Sequence, residues 1–225
     1  MANGVGNPAI GLKGQLRRGS APLIATLAIL AAALIWFFGK RLHYMTDYSP
    51  ASYSDYFWPR RIGLLLHMSG GAVAISTGLV QLWLGLTGQT RGLHRMLGRI
   101  YVCAIVVGVV GAAYLVATVP GHLPYRAGLG GLATAWTVTT AMAVLAIRRK
   151  DIVQHRAWML RSYTVTFAFV TYRIVADTFG GSFGPPDAQG FTDLDTIMAW
   201  ACWAVPLLAM EVFIQSRAMR PRIAT

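Results

Sequence analysis

Charge is what this chain has least of. Asp, Glu, Lys and Arg make up 12% of its 225 residues, and only 8 residues are acidic. Soluble domains carry about twice that charged share, ~25%. Hydrophobic residues fill 55% and mean hydropathy is +0.51, so a water-solvated globule is excluded and a membrane protein is expected. Cysteine is as scarce: Cys103 and Cys202 both lie within apolar stretches. That excludes a disulfide framework and the four clustered ligands of a structural zinc site. The glycine-rich phosphate loop, the nucleophile elbow and the HExxH pair are missing as well. The shortage of acids leaves a formal net charge of +12, but the basic residues sit between apolar segments. There they orient the chain and meet anionic lipid headgroups; no nucleic acid partner is expected.

What the chain has in abundance is long apolar runs. Six stand out, over 21–39, 62–86, 97–119, 127–147, 157–175 and 197–214. Each is long enough to cross a hydrocarbon core of ~30 Å at ~1.5 Å per residue. Arg17 and Arg18 precede the first run as they would a secretory signal, yet the run continues through Phe38 without a polar cleavage region, so it is expected to be retained. Fourteen of the 20 Lys and Arg residues fall in the two tails and in the connections at 91–99 and 148–161, while six of the 8 acids fall on the opposite side. The positive-inside rule then predicts both termini in the cytoplasm. The expected architecture is an all-α, six-helix transmembrane bundle in a bacterial inner membrane, with tails at 1–20 and 216–225 and a membrane domain over 21–215.

Short inner connections make the second and third runs, and the fourth and fifth, antiparallel neighbours. Gly70, Gly71, Gly78, Gly108, Gly111 and Ala112 offer close helix contact. The connection at 40–61 carries Tyr44, Tyr48, Tyr53, Tyr56, Phe57 and Trp58, an aromatic density suited to the headgroup layer, and 179–192 is rich in turn formers. Trp36, Trp58 and Trp158 stand where interfacial belts place aromatics.

A signature occurs twice at the mouths of apolar runs: HRMLGRIY from His94 to Tyr101 and HRAWMLRSY from His155 to Tyr163. Each opens on His-Arg, places a second Arg five or six residues after the His, and puts a Tyr two residues beyond. If the two helices touch, His94 and His155 face one another as paired imidazoles do around a b-type haem, and Arg95, Arg99, Arg156 and Arg161 are placed to hold its propionates. Tyr101 lies two turns from His94 on the same stripe. The plainer reading has these side chains in the headgroup layer, reaching water and lipid phosphate.

Three further groups are candidates because ionisable residues within spans are costly. His67 sits a turn or two inside the second run; its plainer reading is a neutral ring bonded to Ser69, a carbonyl or a Tyr. Arg173 and Asp177, one turn apart, are expected to form an ion pair, with proton relay as the lesser reading. Glu211 calls for an Arg partner, since an unpaired carboxylate there is expensive. The positions fourteen residues after His67, His94 and His155 are Gln81, Gly108 and Phe169, which argues against a stacked two-haem core.

The chain resembles a family of uncharacterised bacterial multi-pass membrane proteins of unknown function. The likeness lies in LLHMSGGAVAISTGLVQLW (Leu65–Trp83), HRMLGRIYV, HRAWMLRSYTVTFAFVTYRI (His155–Ile174) and a last span with a late Glu211, covering roughly residues 61–215. It implies a multi-helix membrane fold in which His67, His94, His155, Arg99, Arg161 and Arg173 matter, and it supplies no activity. In arrangement alone the chain is similar to b-type cytochrome and ferric-reductase-like bundles. Three functions follow in rank: electron transfer with haem b or quinone near the cytoplasmic face, an accessory subunit or assembly factor of a membrane complex, and a small transporter using His67, Arg173 and Asp177.

Overall fold

The computed structural model describes residues 9–87, 91–180 and 191–219, and among them every regular element is helical. Helix α1 (Ala9–Arg41) leads into two short helices, α2 (His43–Thr46) and α3 (Pro50–Phe57), and a 3-10 turn at Trp58–Arg60. The bundle continues with α4 (Arg61–Thr87), α5 (Arg91–Thr118), α6 (Leu123–Arg148), α7 (Ile152–Thr166), α8 (Ala168–Phe179) and α9 (Asp193–Ala218). Among the described residues, 5 stretches are long and apolar enough to cross a membrane: Ile24–Arg41, Pro50–Gly85, Arg91–Thr118, Leu123–Arg148 and Asp193–Arg217. They coincide with five of the predicted runs.

The remaining run, 157–175, departs from expectation. It divides at Phe167 (φ −81°, ψ −8°) into α7, of 15 residues, and α8, of 12. No proline lies there. The Thr164 and Thr166 hydroxyls donate back to the carbonyls of Leu160 and Ser162 at 2.9 and 2.8 Å, a competition with the backbone ladder that bends helices. Thr166 Oγ1 also accepts the indole N–H of Trp136 at 2.7 Å, so the break is drawn toward α6.

Helices α4 and α5 are antiparallel neighbours, as predicted. Arg60 Nε donates to the Thr118 carbonyl at 2.8 Å at one end, and the Gln81 amide donates to the His94 carbonyl at the other. Between those points glycine lets the backbones meet: a Cβ on Gly70 would lie 2.5 Å from Gly108 N, and one on Gly111 would lie 2.4 Å from His67 N. Gly71, expected in the same seam, has nothing within 4 Å of its Cβ position. Helices α6 and α7 pair around a turn in which Lys150 takes φ 61°, and Asp151 then caps α7 by accepting from Gln154 N at 2.9 Å. Cys103 is exposed and Cys202 buried, both free.

The aromatic connection at 40–61 does more than lie among headgroups. It folds into α2, α3 and the 3-10 turn around a fully buried Tyr53, whose hydroxyl donates to the Tyr44 carbonyl. The rings of Tyr44, Tyr48 and Trp58 surround it at 5.6, 5.7 and 6.1 Å. Rings that bury one another gain more than rings spread in a plane, and the result is a cap over one end of the bundle. Most of the turn-rich connection, 181–190, lies outside the described residues. The two ends are named here the cap end (Arg41, Arg60, Arg173) and the motif end (His94, His155).

Candidate functional site

Beneath the cap the helices enclose a cavity of about 180 Å³. Phe37 and Phe38 of α1, Met68 of α4, Leu115 of α5, Trp136 of α6 and Phe169 of α8 wall it, and Tyr44 and Tyr56 roof it. His67 and Arg173 enter this apolar space from the bundle, and Arg41 reaches it from the end of α1. His67 Nδ1 lies 3.2 Å from the Gly108 carbonyl. A carbonyl only accepts, so Nδ1 carries the proton and Nε2 is left as an acceptor. The ring is edge-on to Phe169 and Trp136, with centroids at 5.4 and 6.2 Å. Nε2 bonds to no other described residue, and the ring is partly accessible although it sits deep among four helices. Its accessible face is therefore the cavity's.

Arg173 rests over the Tyr172 ring at 5.4 Å and forms no ion pair or hydrogen bond with another described residue. The expected Arg173–Asp177 pair is thus corrected. Asp177 instead accepts both bonds of a bidentate contact from Arg41 Nη2, at 2.8 and 3.0 Å, with Lys40 Nζ at 3.5 Å. The acid points to the neighbouring helix because α1 brings two cations to the same level, whereas Arg173 turns into the cavity.

At the motif end the twin signatures are not equivalent. His155 Nδ1 donates to the Ala143 carbonyl at 2.9 Å, while His94 Nδ1 is buried without a partner among the described residues. The two imidazoles are within electrostatic reach of one another. Arg95, Arg99 and Arg156 are exposed. Arg161 turns inward instead, donating to Glu211 from Nε at 2.7 Å and from Nη2 at 2.5 Å while stacking over Trp158 at 4.6 Å. Helix α7 packs against α9, so it is the second signature's Arg that reaches the carboxylate. The expected Arg partner of Glu211 is therefore Arg161.

The two signature tyrosines converge. A Cβ on Gly78 would lie 2.4 Å from the Tyr163 ring and 3.0 Å from the Tyr101 ring. Tyr163 donates to the Ile75 carbonyl at 3.2 Å. Tyr101, fully buried, bonds Ser162 and Thr166 at 2.8 and 2.9 Å, and Ser162 bonds Thr140 at 2.8 Å. This places Tyr101 in the helix crossing rather than beside His94, and it confirms that α5 touches α7. Sequence reasoning singled out neither Trp136 nor Thr166, which join that network to the cavity floor. The signal available for them is a Trp in mid-run, flanked by hydroxyls in ATAWTVTT (133–140).

No cluster of three metal-ligating side chains occurs among the described residues. The site and fold define a polytopic, all-helical membrane protein with a small polar-tipped cavity inside its bundle. The chain belongs to the family described as Predicted membrane protein (DUF2306), which matches residues 64–214. That stretch runs from α4 into α9, holding His67, His94, His155, Arg173 and Glu211, and leaving α1 to α3 outside. No curated protein and no solved structure matches the chain.

Proposed function

We propose that this protein binds a quinone-class ligand, its ring seated between His67 and Arg173. The observation that carries the reading is the meeting of an acceptor, His67 Nε2, and a cation with no ion-pair contact among the described residues, Arg173, in one ring-sized space with aromatic walls. A dry cavity of ~150 Å³ takes up benzene, so about 180 Å³ suits a substituted six-membered ring. The neutral imidazole accepts a ring hydroxyl of the reduced form, and the guanidinium donates to the oxygen across the ring. Both contacts are made in a low-dielectric site, where a polar group without a partner is costly. Ligand sites of this kind are mostly apolar with a few placed polar groups.

The reading is tested by calorimetric titration of the purified full chain with a tailless benzoquinol. His67→Ala and Arg173→Ala are each expected to weaken binding about tenfold or more, as befits a bond of ~1.5–3 kcal/mol to a charged or buried partner. Equal affinities for wild type and both variants would sink the proposal.

A second reading is favoured by one specific feature, the buried Nδ1 of His94, which has no partner among the described residues and lies within electrostatic reach of His155. Two such imidazoles suit the axial positions of a b-type haem, with the exposed Arg95, Arg99 and Arg156 near its propionates. A reduced-minus-oxidised visible spectrum of protein expressed with haem precursor decides it. A sharp α-band lost in His94→Ala and His155→Ala is expected on this reading, and a featureless spectrum at stoichiometric protein removes it.

A further inference from the structure

The cavity holds a ring but not a chain. At about 180 Å³ it is filled by the head of a quinone, so a tail must leave through a wall. The weakest wall is α1. Between Ile24 and Arg41 only Leu34 is buried, and the helix nevertheless contributes Phe37, Phe38, Arg41 and Leu42 to the lining. Helix α1 also lies outside the residues matched by the family, 64–214. Among the described residues, its ion pairs to another helix are at the cap end, where Arg41 grips Asp177 of α8 at 2.8 and 3.0 Å and Lys40 stands 3.5 Å away. Both side chains of the Arg41–Asp177 pair are about one-fifth exposed, at 20% and 21%.

We propose that the ligand is a tailed quinone that enters the cavity sideways from the bilayer past α1, and that the Arg41–Asp177 ion pair is the latch of this side door. The inference rests on the quinone reading above and deepens it by fixing the route and the tail. A helix that fully buries only Leu34 between Ile24 and Arg41 moves aside without exposing core to water, and its apolar face is solvated by acyl chains as readily as by the bundle. One charge pair at its end then controls how often it opens. A tailless ring has no chain lying against α1 and leaves past the cap as well, so its release depends on this door far less.

The test uses the full chain in nanodiscs loaded with a decyl-tailed benzoquinone or with the tailless ring, followed by dilution into empty nanodiscs. Asp177→Asn is expected to speed release of the tailed quinone about tenfold, the loss of one partly desolvated pair, and release of the tailless ring by less than about threefold. The charge swap Arg41→Asp with Asp177→Arg is expected to restore the slow release, which separates loss of the pair from misfolding. Unchanged release of the tailed quinone in Asp177→Asn overturns the side door while leaving the quinone site standing. Equal acceleration of tailed and tailless ligands also overturns it, since the opening would then lie through the cap. Failure of wild type to bind either quinone overturns both this proposal and the site.

Discussion

Gly70→Leu is expected to yield little folded protein, whereas Gly71→Leu, one position along, folds normally. The difference lies in what each new Cβ meets. At Gly70 it would lie 2.5 Å from Gly108 N, 2.6 Å from the Ala104 carbonyl oxygen and 2.7 Å from Gly108 Cα. All three are backbone, so no side chain can swing away, and relief requires α4 and α5 to separate. Separation also pulls His67 from the Gly108 carbonyl and opens the approach at Gly111, where a Cβ would be 2.4 Å from His67 N. Overpacking ordinarily costs about 1–3 kcal/mol. A clash of backbone against backbone along the most intimate helix pair should reach or exceed the top of that range. At Gly71 nothing lies within 4 Å, because the position faces the cavity. Unfolding in graded SDS, with the yield of monodisperse protein in detergent, measures the contrast. Similar losses at the two positions would contradict the packing described for this seam. Gly71→Leu carries a second expected result: it folds, but its side chain occupies ligand space, so benzoquinol affinity falls while stability holds.

The helices were largely legible in the sequence because bilayer thickness sets the length of an apolar run and little else competes with it. Helices α4, α5, α6 and α9 stand within a few residues of the predicted runs for that reason. The break at Phe167 was not legible. Nothing marks it locally as a Pro or Gly would, and it depends on Thr166 being engaged by Trp136 from another helix. Ion pairing was legible as need and not as partner. Glu211 had to find an Arg and found Arg161, but Asp177 chose Arg41, 136 positions away, over Arg173 one turn along its own helix. Sequence spacing favours the near cation; the level at which α1 docks favours the far one. The twin signature drew attention to His94 and His155, and the structure does gather both at one end. The cavity arose elsewhere, from His67 and Arg173, because its walls come from six helices and a cap that share no motif. The aromatic residues at 40–61 could be counted in advance, but their mutual burial around Tyr53 could not.

Removal of the Tyr101 ring should cost far more than removal of its hydroxyl. Tyr101→Ala empties a fully buried site and should destabilise by about 3–5 kcal/mol, as for other large aromatic truncations. Tyr101→Phe deletes the bonds to Ser162 and Thr166 at 2.8 and 2.9 Å, yet neither partner is stranded. Ser162 retains Thr140 at 2.8 Å, and Thr166 retains the Trp136 indole at 2.7 Å and the Ser162 carbonyl at 2.8 Å. The expected cost is therefore that of an ordinary interhelical hydrogen bond in a membrane bundle, about 0.6–1.7 kcal/mol. A Tyr101→Phe loss as large as that of Tyr101→Ala would mean that the hydroxyl's bonds to α7, and not the burial of the ring, carry this residue's contribution. The same substitution reaches the ligand site. Thr166 lines the cavity and adjoins the break at Phe167, and Tyr101 ties it to α5 by a hydrogen bond. Tyr101→Phe should thus weaken benzoquinol binding several-fold for a stability loss of only about 0.6–1.7 kcal/mol, a split that a purely structural tyrosine would not produce.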